Sequence, residues 1–105
     1  MQADRVYKVC SQAEWNAALV AGAYHGSDVD RRDGFIHLST DVQLAETLRR
    51  HFAGRQGLVL VAFDAATLTG LRWEPSRGGD LFPHVYGELP VRLAREVRVV
   101  EAPPR

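Results

Sequence analysis

The chain has 105 residues, 46% of them hydrophobic and 25% charged, a balance that fits one globular domain with its own core. Thirteen basic and thirteen acidic residues cancel to zero net charge, which argues against a nucleic-acid binder relying on a basic surplus. Twelve of the thirteen cations are Arg, so a local patch for an anion is still allowed. A lone cysteine, Cys10, excludes an internal disulfide. The N-terminus lacks an apolar signal core and no apolar run nears ~18 residues, so a cytoplasmic, membrane-free protein is expected. Residues 1–101 are expected to fold as a single domain, with 102–105 as a tail.

Val6–Cys10 reads as a short strand. Ser11-Gln12-Ala13-Glu14 has capping-box spacing, and Trp15, Ala18 and Leu19 follow at helical intervals, so a helix is expected to end at Gly22. Tyr24–Asp33 is polar and reads as a long loop, expected to act as a flap over a pocket. Phe35–Leu38 is the second strand. Ser39-Thr40-Asp41 opens a second helix, whose buried stripe is expected to be Val42, Ala45, Leu48 and Phe52. Leu58–Phe63 is almost wholly apolar and reads as a central strand covered on both faces. Asp64–Leu68 suggests one helical turn, Leu71–Glu74 a strand and Pro75–Asp80 a Gly-rich turn. Phe82–Leu89 alternates as one strand, Val91–Ala94 is ambiguous, and Glu96–Val100 is the last strand. Helices early and strands late give an α+β class, with a mainly antiparallel sheet and two helices near the N-terminal half.

Strand side chains alternate between faces. Phe35, His37 and Ser39 therefore share one face, with Ile36 and Leu38 turned to the core. In Phe82–Leu89 one face carries Phe82, His84, Tyr86 and Glu88. Each strand thus offers an aromatic, a histidine and further polar groups on one face. Histidine donates, accepts or transfers protons near neutrality, and tyrosine stacks on flat ligands while keeping a hydroxyl. A solvated outer sheet face would show the same alternation, so a structural reading of both histidines stands beside the functional one.

Other groups carry weaker signals. His25, His37, His51 and His84 lack close ligand spacing, and Cys10 stands apart from them, so no metal site is expected. As a small residue at a strand end, Cys10 reads as buried rather than nucleophilic. Ser76-Arg77-Gly78-Gly79-Asp80 can cradle a phosphate through backbone N–H groups and Arg77, though a plain turn has the same composition. Arg49-Arg50-His51 reads as a solvated helix face. Asp28, Asp30 and Asp33 offer carboxylates for a hard cation without a full calcium-loop pattern.

Asp33-Gly34-Phe35-Ile36-His37-Leu38-Ser39-Thr40, Leu71-Arg72-Trp73-Glu74 and Phe82-Pro83-His84-Val85-Tyr86-Gly87, with Tyr7-Lys8-Val9 and Trp15 before them, resemble the bacterial domain-of-unknown-function 952 family. The segment order is more distantly similar to the ADP-ribosyltransferase superfamily, in particular its RNA 2′-phosphotransferase branch. His37-Leu38-Ser39 matches that branch's His-Leu-Ser strand, and Leu58–Asp64 its apolar strand ending in Asp. This second resemblance implies a split antiparallel sheet clasping NAD or an ADP-ribose-like ligand. It places Lys8 where members carry a histidine that holds the dinucleotide, and Val9 where they carry glycine. It retains His37 and Ser39, and makes Glu88 the candidate for the glutamate that other branches use at the ribose.

Three readings follow. In an enzyme of ADP-ribosyl-transfer or related nucleotide type, His37 orients the ligand, Tyr86 stacks on a ring, and His84 or Glu88 acts at the ribose, with Lys8, Ser39 and Arg77 as ligand contacts. NAD is then substrate or ligand, and no resident cofactor is required. In a binding module the same fold takes a nucleotide or small molecule without turnover. In an accessory protein the histidines only organise the strands. A monomer or weak homodimer is expected in each case.

Overall fold

The computed structural model describes residues 3–105. Strand β1 (Arg5–Ser11) leads into helix α1 (Gln12–Ala21) through the expected capping box: Glu14 N–H donates to Ser11 Oγ at 3.0 Å, and Ser11 N–H to Glu14 Oε1 at 2.8 Å. Strand β4 (Leu58–Asp64) lies between β1 and β8 (Ala94–Val100), antiparallel to both. Leu58 to Phe63 are all buried, as a central strand covered on both faces requires.

The two faces of β4 carry different coverings. Val59, Val61 and Phe63 face the larger core with Trp15 and Ala18 of α1, and with Ile36, Val85 and Leu89. Leu58 and Leu60 face a smaller cluster closed by Leu44, Leu48 and Phe52 of helix α3 (Leu44–His51) and its C-cap. Each Val, Leu, Ile or Phe fully buried on the two faces contributes roughly 1.5–3 kcal/mol.

A second three-stranded sheet has the order β3 (Ile36–His37), β6 (Leu81–Val85), β5 (Leu71–Pro75), and β2 (Ala23–Tyr24) pairs with β7 (Leu89–Pro90). All pairings are antiparallel. A bridge stitches the two larger sheets together: Tyr7 N–H donates to Ser39 C=O at 2.8 Å, and Ser39 N–H to Tyr7 C=O at 2.9 Å. It brings β1, and with it Lys8, beside the strand that carries His37. No helix among the described residues is long and apolar enough to cross a membrane.

The architecture is α+β, as expected, but several elements differ. Tyr24–Asp33 is not a loop. Tyr24 belongs to β2, and Asp28–Asp33 form a third helix, α2, capped by Ser27 and Asp30 in a reciprocal box. The segment expected as a loop thus carries a helix that turns Asp30, 3% exposed, inward. Helix α3 begins at Leu44, later than expected, which leaves Val42 87% exposed; Leu44, Leu48 and Phe52 make its inner stripe. Phe82–Leu89 is not one strand. It breaks after Val85, where Gly87 adopts φ 146, so the alternation that put Glu88 beside His84 and Tyr86 ends there.

Candidate functional site

The site is built on a carboxylate that the sequence hides. Asp30 is the third residue of α2, and its capping role turns its side chain inward. Asp30 Oδ2 accepts from Ser27 N–H at 3.0 Å and from Lys8 Nζ at 2.8 Å. Asp30 Oδ1 accepts from His37 N–H at 3.1 Å and lies 2.6 Å from His37 Nδ1. Lys8 Nζ also donates to the His37 carbonyl at 3.0 Å. One buried carboxylate thus ties β1, α2 and β3 together. Burial alone would raise the Asp30 pKa, but the bond from His37, with the charge and bond of Lys8, outweighs it and holds the carboxyl well below the usual range.

The other nitrogen of His37, Nε2, lies 2.9 Å from Asp33 Oδ2. Asp33 is itself held low, first by the hydrogen bond from Arg32. Both ring nitrogens of His37 thus lie against carboxylate oxygens, which only accept when ionised. Its side chain is 35% exposed, so a ring held at both ends faces outward.

A second histidine sits directly opposite. His37 and His84 are partners across β3 and β6, with ring centroids 5.5 Å apart, edge to face. His84 Nδ1 is 2.8 Å from Glu74 Oε1, which also accepts from Tyr86 OH at 2.8 Å. These two bonds, that of His84 first, hold Glu74 below the usual carboxylate range, and Glu74 in turn raises the Tyr86 hydroxyl. The Phe35 ring stacks on His84 at 4.2 Å and tilts against His37 and Tyr86 at 4.6 and 5.2 Å. Arg72 lies over the outer face of the same group, 4.9 Å from the Tyr86 ring.

A cleft of about 480 Å³ opens over this arrangement, lined among others by Lys8, Arg32, His37, Ser39, Arg55 and His84. Four of the residues expected from sequence therefore meet in one place: Lys8, His37, Ser39 and His84. Lys8 is 6% exposed and engaged with Asp30, and Ser39 Oγ is 2.8 Å from Thr47 Oγ1. Tyr86 stands behind His84, outside the cleft wall and 40% exposed. Glu88 is elsewhere, exposed and 3.2 Å from His25 Nε2. The side chain of Arg77 lies outside the described residues. In its turn the N–H groups of Ser76 and Gly79 donate to Asp80 C=O and Ser76 C=O, so neither is turned to a phosphate.

The three aspartates of α2 part company, Asp28 to Arg31, Asp30 inward and Asp33 to Arg32 and His37. Among the described residues no group of three or more His, Cys, Asp or Glu is arranged to hold a metal ion. Cys10 is 1% exposed, and burial, then the Glu14 charge, pushes its thiol up to about 12. Sequence reasoning missed Asp30 as the organiser and Glu74 as the partner of His84. Ser27-Asp28-Val29-Asp30 has capping-box spacing, which was the readable sign for Asp30. Glu74 had none without the β5–β6 register.

Residues 9–97 match the model of a family described as "Protein of unknown function (DUF952)". The crystal structure of protein CC0527 from Caulobacter crescentus is similar, at 45% identity over 92% of this chain and 86% of that one, with a TM-score of 0.90. The solution NMR structure of CC0527 is 44% identical over 94% and 86% of the two chains, with a TM-score of 0.84. No curated protein matches the chain.

Proposed function

The chain belongs to the DUF952 family of proteins of unknown function, and from the geometry of its cleft we propose that it binds a small nucleotide-type ligand of the NAD or ADP-ribose class at His37. The observation that carries this reading is the fixed imidazole ring. His37 is clamped by Asp30 at 2.6 Å and Asp33 at 2.9 Å, and it faces a cleft of about 480 Å³. Pockets of this size accommodate small organic ligands, which are oriented by a few preset polar groups. Arg32 and Arg55 line the same cleft beside Glu14 and Asp28, so charged groups of both signs are placed to orient a polar ligand. His37-Leu38-Ser39 lies in the cleft wall, in keeping with the resemblance to NAD-binding folds.

The ADP-ribosyl-transfer reading has less support than binding. Stripping nicotinamide from NAD builds positive charge on the ribose, which a free carboxylate stabilises. Glu88, the candidate for that role, pairs with His25 outside the cleft. Titration of the protein with NAD, ADP-ribose and AMP, followed by calorimetry and by amide shifts around His37, tests the proposal. Saturable binding that weakens at least tenfold in His37→Ala is expected. A folded protein showing no shifts at millimolar ligand would remove the reading.

A further inference from the structure

We propose that His84 and His37 form a proton-accepting and proton-donating pair acting on a small ribonucleotide phosphodiester, with Glu74 as the residue that positions His84. The inference rests on the nucleotide cleft proposed above and names its chemistry. The two rings line one cleft and face each other across β3 and β6, yet their hydrogen bonds are opposite in kind. Glu74 accepts at His84 Nδ1, so that nitrogen carries the proton. His84 Nε2 makes no hydrogen bond to any described residue, which in the neutral ring leaves a lone pair for a ligand or water. His37 is the reverse, with both nitrogens against carboxylates. A ring with one unengaged nitrogen beside a ring held by two carboxylates is the arrangement that a base and an acid need. The charged or titratable groups around the pair are Glu74, Arg72 and Tyr86 on the side of β5 and β6, Asp28, Asp30, Arg32 and Asp33 from α2, Tyr7 and Lys8 from β1, Glu14 from α1, and His51 and Arg55 at the end of α3.

The step balances without a cofactor. Water gives a proton to His84 Nε2 as its oxygen bonds to phosphorus. The phosphorus–oxygen bond to the departing alcohol breaks, its electron pair stays on that oxygen, and His37 Nε2 supplies the proton. Asp33, which accepts that proton in the free protein and is 31% exposed, gives way to the leaving oxygen. Proton exchange with solvent then resets both rings. Phe35, stacked on His84, fixes the plane of the base, while Tyr86 shares Glu74 and fixes the carboxylate.

The test uses bis(p-nitrophenyl) phosphate and a cyclic ribonucleoside phosphate as substrates for the purified chain. Metal-independent turnover with a bell-shaped pH profile is expected. With the cyclic ribonucleoside phosphate, His84→Ala and His37→Ala should each lose roughly a hundredfold or more in kcat, whereas bis(p-nitrophenyl) phosphate, whose leaving group departs as a stable phenolate, should show that loss in His84→Ala alone. Glu74→Gln should fold, lower kcat about tenfold or more with KM unchanged, and move the acid limb to lower pH, because the imidazolium formed at His84 loses a negative neighbour. Glu88→Gln, outside the cleft, should match wild type. Nucleotide binding without turnover of either substrate overturns this inference and leaves the binding cleft standing. Neither binding nor turnover overturns both. Turnover that is unchanged in His84→Ala, or a Glu74→Gln loss confined to KM, also overturns it.

Discussion

Lys8 and Asp30 lie 2.8 Å apart with side chains only 7% and 3% exposed, and Lys8 is the sole lysine in a chain that otherwise uses Arg. An ammonium is a compact charge on a flexible stem, and here it reaches one carboxylate and one carbonyl. Burying such a pair is costly, and removing either partner strands the other. Lys8→Met should therefore destabilise the protein by about 3 kcal/mol or more, measured by urea denaturation. Lys8→Met/Asp30→Asn should cost less than the sum of the two single changes, because the double variant leaves no uncompensated charge. Additive losses would show that the pair is not coupled.

The same carboxylate sets an acid limit. The folded-state pKa of Asp30 lies below its unfolded value. The unfolded chain thus takes up protons first as pH falls. The stabilisation from Asp30 is complete above the unfolded value of about 3.9 and is lost as pH falls from there through the folded value. Unfolding midpoints between pH 6 and pH 2 should fall steeply below about pH 4 in wild type. They should fall less in Asp30→Asn, which starts from a lower stability. Equal slopes in the two proteins would contradict the assignment.

Much of the fold is legible in the sequence because local and tertiary signals agree there. Ser11-x-x-Glu14 marks a helix start, and the run Leu58–Phe63 can only be a strand covered twice. His37 and His84 sit on strands as their alternation implies, and register makes them partners. What fails is alternation carried past its limit. Gly87, at φ 146, ends the strand rhythm and sends Glu88 to His25. The polarity of Asp28-Val29-Asp30-Arg31-Arg32-Asp33 suggests a loop, because a six-residue helix that buries one aspartate lacks an apolar stripe. The centre of the site was hidden for that reason: its organising group is a charge, buried where Lys8 reaches it from β1 and His37 from the strand that follows α2.

Helix α2 depends on its cap more than a longer helix would, since six residues give few internal hydrogen bonds. Ser27 Oγ accepts from Asp30 N–H at 3.2 Å. Ser27→Ala should cost about 1 kcal/mol. The loss should be local. Hydrogen exchange should quicken at Arg31 and Gly34, whose N–H groups bond to Ser27 and Asp30 carbonyls, while β4 amides stay protected. A uniform rise in exchange across β4 would show instead that α2 unfolds only with the whole domain.

Cys10 offers a probe of the core that is independent of any ligand. Its thiol is 1% exposed at the interior of β1, and burial with the Glu14 charge raises it to about 12. The thiolate is the reactive form. Both access and ionisation therefore oppose modification at pH 8. Iodoacetamide should label native protein slowly, at a rate that follows unfolding, and label it rapidly in denaturant. Fast labelling of the folded chain would place Cys10 at the surface.

Glu74 links the second histidine to a tyrosine that can be watched directly. Its carboxylate accepts from Tyr86 OH, and that bond, followed by partial burial and the Glu74 charge, raises the tyrosine hydroxyl above its ordinary range. The phenolate would sit against a carboxylate and lose its hydrogen bond, so deprotonation is disfavoured. Glu74→Gln removes the charge and should bring Tyr86 back toward about 10. The alkaline rise in tyrosinate absorbance should therefore begin at lower pH in Glu74→Gln, and Tyr86→Phe should remove that component altogether. The chain holds two other tyrosines, Tyr7 and Tyr24, so the Tyr86 component is read as the difference between each protein and the same protein carrying Tyr86→Phe; burial, then the charge of Asp30, raises the Tyr24 hydroxyl far beyond the tyrosine range. If Glu74→Gln leaves the absorbance profile where it was, Glu74 does not hold Tyr86 in solution. The carboxylate would then also be free to leave His84, and the orientation of that ring would need another source.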